Sequence, residues 1–273
     1  MRKILLAVLL VIFCEGVSFS APARIGALTC IGLSESDVLT WTEKIAVLEG
    51  KQAGFKNENI IVFYDNLTSM LMALNAGKID RFALPSIVAK YIAARNSKLN
   101  YIDHHHNKVM GYSLAALEPK REILTAVNRA ISDMKADGTL TKLQQKYILE
   151  LGNNDPEPVI IPVIDGAESL KIAITGDLPP MDCILADGTP AGFNTAFLAD
   201  LSKRINKNFE LVNIDTGARE SALMSGKVDL LFWICSIYND KGEIMPYPLD
   251  KLTGAVISEP YLLDSRAALE IKK

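Results

Sequence analysis

Three histidines stand in a row, His104, His105 and His106, directly after Asp103, and the chain has no others. Imidazole and carboxylate are metal ligands. Consecutive side chains on an extended chain point to opposite faces, however, so such neighbours do not converge on one ion. A solvated loop is expected there, and no metal site is assigned. Ser34 and Asp37 have the spacing of a capping box with Asp in place of Glu, which opens a helix. Free N–H groups at a helix start can hold an anion, which makes Ser34 and Ser36 candidate ligand-binding residues. As plain N-caps they need no ligand. The four cysteines, Cys14, Cys30, Cys183 and Cys235, form no C-x-x-C pair that would suggest zinc. No nucleophile stands beside a base in the sequence, and no glycine-rich loop is set to cradle a phosphate. Binding rather than catalysis is therefore expected, with no cofactor.

These residues must be carried by a folded chain. Of 273 residues 49% are hydrophobic and 22% charged, which excludes a disordered protein. The net charge of −3 leaves no basic excess for a phosphate backbone, so no nucleic-acid partner is expected. Arg2 and Lys3 precede an apolar run over 4–13, and Ser18 and Ser20 precede Ala21. That is the layout of a signal peptide over 1–20, with the protein exported to the periplasm. A lipoprotein would use Cys14 as anchor, but Phe13 stands where a small residue is usual. The three cysteines beyond the leader allow at most one internal bridge.

From Ala21 onward short apolar runs alternate with amphipathic stretches, the pattern of parallel α/β layers. Strands are predicted near 24–30, 59–64, 79–83, 109–117, 171–175, 209–214 and 228–233. Helices are predicted near 34–50, 67–76, 86–95, 122–134, 139–149, 193–205 and 219–224. A proline-rich linker covers 152–162. One repeat stands out: 73–80 (ALNAGKID) matches 222–229 (ALMSGKVD), and Asp65 and Asp215 lead the two copies at similar distances. Each copy reads as a helix ending at a left-handed glycine and then a buried strand, so two related lobes are expected.

The stretches KIAITGDLPPM, DGTPAGFNTAFLADLSKRI, FELVNID and ALMSGKVDLL, together with the closing ISEPYLLDSRAALEIKK, carry a family resemblance. They resemble the first lobe of the bacterial extracellular solute-binding proteins of family 3, which bind polar amino acids. ARIGALTCIGLSESDVLTW and 64–92 resemble that family's second lobe, and 110–147 its return hinge and closing helices. The resemblance implies an α/β, two-lobed, type II periplasmic-binding-protein fold with its lobe order circularly permuted. One lobe would span 24–104, a hinge 107–117, the other lobe 118–265 and a hinge strand 266–273. It implies capture of a small polar or amino-acid-like solute by a monomer that feeds an inner-membrane ABC permease. A ligand-sensing or partner-binding protein and a dehydratase-like enzyme are the alternatives.

The resemblance also nominates site residues. Lys241 falls where the family has the arginine that holds the ligand carboxylate, with Tyr238 and Ser236 just before it. Pro85 falls on the acid that receives the ligand ammonium, so a strict need for an α-amine is not expected. Asp177 and Met181 follow the first strand of their lobe, and Trp233 ends another, where ligands meet strand ends in open α/β sheets, with core packing the alternative for Met181 and Trp233. The insert 243–251 would overhang the cleft. Cys183 and Cys235 both follow strands of this lobe, are expected closer to each other than to Cys30, and form the candidate disulfide.

Overall fold

The computed structural model describes residues 22–48, 58–103, 109–238, 241–244 and 250–272. The leader over 1–20, Cys14 and the three histidines lie outside these. In chain order the strands are β1 (Arg24–Leu28), β2 (Ile60–Tyr64), β3 (Arg81–Pro85), β4 (Leu99–Asp103), β5 (Val109–Leu117), β6 (Ser169–Ile174), β7 (Asp177–Leu178), β8 (Asp182–Ile184), β9 (Pro190–Ala191), β10 (Asn208–Asn213), β11 (Leu230–Tyr238), β12 (Ala255–Ile257), β13 (Leu262–Asp264) and β14 (Arg266–Ile271). The helices are α1 (Glu35–Leu48), α2 (Leu67–Asn75), α3 (Ser86–Arg95), α4 (Arg121–Ala136), α5 (Thr139–Gln144), α6 (Phe193–Ile205) and α7 (Arg219–Met224). None among the described residues is long and apolar enough to cross a membrane.

Two sheets form the two lobes, and both are built to one plan. The first runs β2-β1-β3-β14-β4 and the second β10-β6-β11-β5-β12, with β13 also on β5. In each, three parallel strands are followed by one antiparallel strand: β14 against β3 and β4, and β5 against β11 and β12. Of the segments expected as hinge strands, 109–117 and 266–271 form internal strands of the two sheets. Their composition explains this. Seven consecutive residues of β5, Met110 to Ala116, are buried, as are Ala267, Ala268 and Leu269 of β14, and such runs are stable only between two neighbours.

The repeat lies on different sheets and plays the same part in each. Gly77 and Gly226 take φ of 65° and 72°, where side chains are strained, and each ends a helix. The aspartate that closes each copy ties its strand to the first strand of its sheet. Asp80 Oδ2 accepts the Arg24 amide at 2.7 Å and Asp229 Oδ2 the Lys171 amide at 2.7 Å. Their own amides donate to the Arg24 and Lys171 carbonyls, both at 2.8 Å. Other caps also follow the sequence. Ser34 and Asp37 exchange bonds, with the Asp37 amide on Ser34 Oγ at 3.2 Å and the Ser34 amide on Asp37 Oδ2 at 2.9 Å. Asn66 Oδ1 caps α2 through the Ser69 amide at 2.9 Å.

The two repeat aspartates differ in burial: the Asp80 side chain is 47% exposed beside Arg24, and that of Asp229 is 20% exposed beside Lys120. Asp229→Ala is expected to cost about 1–3 kcal/mol, because it strands the Lys120 charge and the Lys171 amide. Asp80→Ala is expected to cost under about 1 kcal/mol. Urea unfolding of the two variants checks the order.

Candidate functional site

Parallel strands deliver their C-terminal ends to one edge of a sheet, and both sheets turn that edge toward the other lobe. A cavity of about 110 Å³ lies between them. The first lobe lines it with the ends of β1 and β3, from Ala27 to Cys30 and from Ala83 to Pro85, and with Arg266 at the start of β14. The second lobe contributes Met110, Tyr112, Thr175, Thr216, Arg219, Trp233, Cys235 and Asp250.

The wall of the second lobe is shaped by an irregularity in β11. Its pairing with β5 shifts register between Leu231 and Ile234, and Trp233 takes φ of 61°. A bulky residue at positive φ is strained and persists only where its surroundings hold it. Its ring meets Tyr112 edge-on, centroids 4.5 Å apart. The bulge frees backbone groups that a buried ion pair then satisfies. Arg219 Nη1 donates to the Trp233 carbonyl at 3.1 Å and the Phe232 carbonyl at 3.4 Å. Asp250 Oδ2 accepts the Cys235 amide at 2.9 Å. Arg219 and Asp250 are each 5% exposed and pair at 3.3 Å.

The same pair reaches the other lobe. Asp250 Oδ1 accepts the Ile31 amide at 2.8 Å, and Arg219 Nη2 approaches the Thr29 carbonyl at 3.5 Å. Further contacts hold the lobes face to face. Thr216 donates its amide and hydroxyl to the Asp65 carbonyl at 3.0 and 2.7 Å. The Leu67 amide donates to Asp177 Oδ2 at 2.6 Å. At Gly217 a Cβ atom would fall on Asp65 Oδ1, so glycine lets the lobes approach this closely. On the far side the 152–162 linker bridges the lobes: Asp155 accepts the Tyr91 hydroxyl at 2.9 Å, and Val159 bonds the Pro190 carbonyl at 3.0 Å.

Of the residues nominated from sequence, Trp233 and Cys235 line the cavity. Asp177 lies at the inter-lobe contact beside it. Ser236 is buried within β11, and Tyr238, half-buried, packs over Gly111 at the end of that strand. Met181 is fully buried in the hydrophobic core. Lys241 is exposed past the end of β11, while Ser34 and Ser36 are exposed and bonded to each other at 2.8 Å. None of these last four residues lines the cavity. Of the insert over 243–251, 245–249 lie outside the described residues, and Asp250 is the part that reaches the cavity.

The three described cysteines are free thiols. Cys183 belongs to the small β7-β8-β9 sheet, which leaves the main sheet after Gly176 turns at φ 73°. Cys30, not Cys183, shares the cavity with Cys235. Burial above all pushes the Cys30 and Cys183 thiols up to about 12 and raises that of Cys235 as well, which leaves them protonated and poor nucleophiles. Among the described residues no cluster of acids, histidines and cysteines could hold a metal.

Arg219, Asp250, Arg266 and Tyr112 were not nominated from sequence. Arg219 and Thr29 are 190 positions apart, and no local pattern marks them as neighbours. The one available signal was an arginine at the start of the short helix that leads into the second repeat copy.

Comparison with known proteins finds one family model, matched over part of the chain. Residues 170–243 match the family model of the bacterial extracellular solute-binding proteins, family 3. No curated protein matches the chain. Among solved structures, the periplasmic aliphatic sulphonate binding protein SsuA from Escherichia coli is 13% identical with a TM-score of 0.36, over 92% of this chain and 66% of that one. The alkanesulfonate-binding protein SsuA from Xanthomonas axonopodis pv. citri is 12% identical with a TM-score of 0.41, over 93% and 66%. Immunogenic lipoprotein A from Vibrio vulnificus is 11% identical with a TM-score of 0.38, over 91% and 87%. The chain thus spans just under two thirds of the two sulfonate-binding proteins.

Two outcomes are expected. Arg219→Met leaves Asp250 buried without its cation and should cost about 3–5 kcal/mol in chemical unfolding. Asp177 is raised to about 6, by burial first, with the Asp182 and Asp215 charges adding to it and the Leu67 amide opposing. A carboxyl raised in the folded state costs stability above that value, and the cost is relieved as pH falls toward its ordinary value. Between about pH 7 and pH 5 the melting temperature of the wild type should therefore gain on that of Asp177→Asn, as differential scanning calorimetry would show.

Proposed function

We infer that the chain is an exported solute-binding protein that captures a small solute in the cavity between its lobes. The observation that carries this is the placement of the cavity. It collects the C-terminal strand ends of both sheets, so one solute there touches both lobes and stabilises their closed arrangement. The protonated, buried thiols and the cavity's fully bonded carboxylate support a binding role over catalysis.

Family 3 proteins are extracellular, which fits the leader-like N-terminus, and delivery to an ABC-type permease is the coupling we propose. A circularly permuted lobe order is part of this proposal. The family match begins at β6, in the second half of the chain, and each sheet receives its antiparallel strand from beyond the stretch that forms its parallel strands. Termini and joints at surface segments tolerate such rearrangement.

A thermal-shift screen against amino acids, organic acids, sulfonates and small cations tests the reading, since a bound solute raises stability by mass action. At least one class should raise the melting temperature of the wild type. Gly217→Val, whose side chain props the lobes apart at Asp65, should keep its fold and bind that solute about tenfold or more weakly. No stabilising solute in any class, or undiminished binding by Gly217→Val, would contradict capture between the lobes.

A further inference from the structure

We propose that Arg266 and Tyr112 form an oxyanion subsite in this cavity, and that the solute is a small organic carboxylate or sulfonate with an apolar body and no ammonium group. The proposal rests on the cavity being the binding site and names the solute class it takes.

The charge inventory of the cavity leads there. Among the described residues two guanidiniums and one carboxylate line it, those of Arg219, Arg266 and Asp250. Arg219 and Asp250 are spent on each other and on backbone groups of both lobes. Arg266 is half-buried at the start of β14, and among the described residues no hydrogen bond or ion pair engages its guanidinium. Its charge reaches the Cys30 and Cys235 thiols and the Tyr112 hydroxyl, all on the cavity wall. The nearby carboxylate of Asp264 does not line the cavity, and its oxygens are taken by the Ile87 amide at 3.0 Å and the Ser265 amide at 2.7 Å.

Tyr112 is the second, independent observation. It is 3% exposed, and its hydroxyl has no hydrogen-bond partner. A buried hydroxyl without a partner costs free energy that a ligand acceptor removes. A planar guanidinium and a phenol O–H together match the oxygens of one oxyanion.

The rest of the wall limits the solute. Among the described residues the one lining carboxylate, Asp250, already pairs with Arg219 and accepts the Ile31 and Cys235 amides, which makes it a poor partner for an ammonium. Pro85 lines the cavity and offers no acid either. Leu28, Val38, Leu84, Met110 and Leu178 make much of the remaining wall apolar, with Thr29, Thr175 and Thr216 between them. A cavity of about 110 Å³ suits roughly half a dozen non-hydrogen atoms, since one of about 150 Å³ holds benzene.

Calorimetry on the purified protein with butyrate, propanesulfonate, butyramide and butylamine tests the subsite. Butyrate or propanesulfonate should bind, and whichever is tighter tells carboxylate from sulfonate. Butyramide and butylamine should bind at least about tenfold more weakly. Arg266→Gln should weaken the bound anion about 10- to 100-fold with an unchanged melting temperature. Arg266→Lys should restore part of the loss, and Tyr112→Phe should weaken binding a few-fold. Wild-type affinity in Arg266→Gln, or butyramide bound as tightly as butyrate, would overturn the subsite. So would the failure of all four probes. The cleft reading would still stand if the wider solute screen finds a ligand whose binding Gly217→Val diminishes.

Discussion

A strand that breaks its own ladder must have its loose backbone groups bonded by something else. In β11 the register shift at Trp233 releases carbonyls and an amide in the middle of a buried sheet, and Arg219 and Asp250 take them up. Neither charge could be buried alone, because removing an ion from water without a partner costs several kcal/mol. The bulge thus requires the pair. The pair has bonding capacity left over, and that capacity goes to the Ile31 amide and the Thr29 carbonyl of the opposite lobe. The distortion at Trp233, on the cavity wall, thus also brings in the pair whose bonds hold the lobes together.

This arrangement divides the polar groups of the cavity into two sets. The Arg219–Asp250 set is saturated and structural. Among the described residues the Arg266 guanidinium, the buried Tyr112 hydroxyl and Trp233 Nε1 have no hydrogen-bond partner, and all three residues line the cavity. Specificity follows from that division. The saturated carboxylate cannot answer an ammonium, whereas the uncommitted guanidinium can answer an oxyanion. The close approach of Gly217 to Asp65 and the Thr216 bonds to the Asp65 carbonyl set how far the lobes can close on it.

Much of the scaffold was legible in the residues because it depends on local rules. The repeat at 73–80 and 222–229 announced two lobes through its glycines and closing aspartates, and those residues play matching parts in the two sheets. The helix start at Ser34, the helix α6 and the strand β5 also follow from capping residues and apolar periodicity. The site was less legible because its residues meet only after both sheets have formed. Lys241 was nominated by alignment to a family position, but the chain beyond β11 carries it to an exposed turn. Met181 sits at a strand end and yet packs into the core, because the chain turns away at Gly176 into the small sheet that also carries Cys183 off the main one. Arg266, in a segment read as a hinge, enters the cavity because β14 is inserted between β3 and β4 with its first residue at the cleft edge.

The central claim is that one small solute is held between the two lobes at the strand ends. A crystal structure of the protein with a bound solute tests it most directly. The account calls for the solute within hydrogen-bond distance of groups from both lobes, in the space bounded by Pro85, Tyr112, Trp233 and Arg266. A solute seated instead on the outer surface, such as the groove between α4 and α6 lined by Arg129 and Arg204, would contradict it.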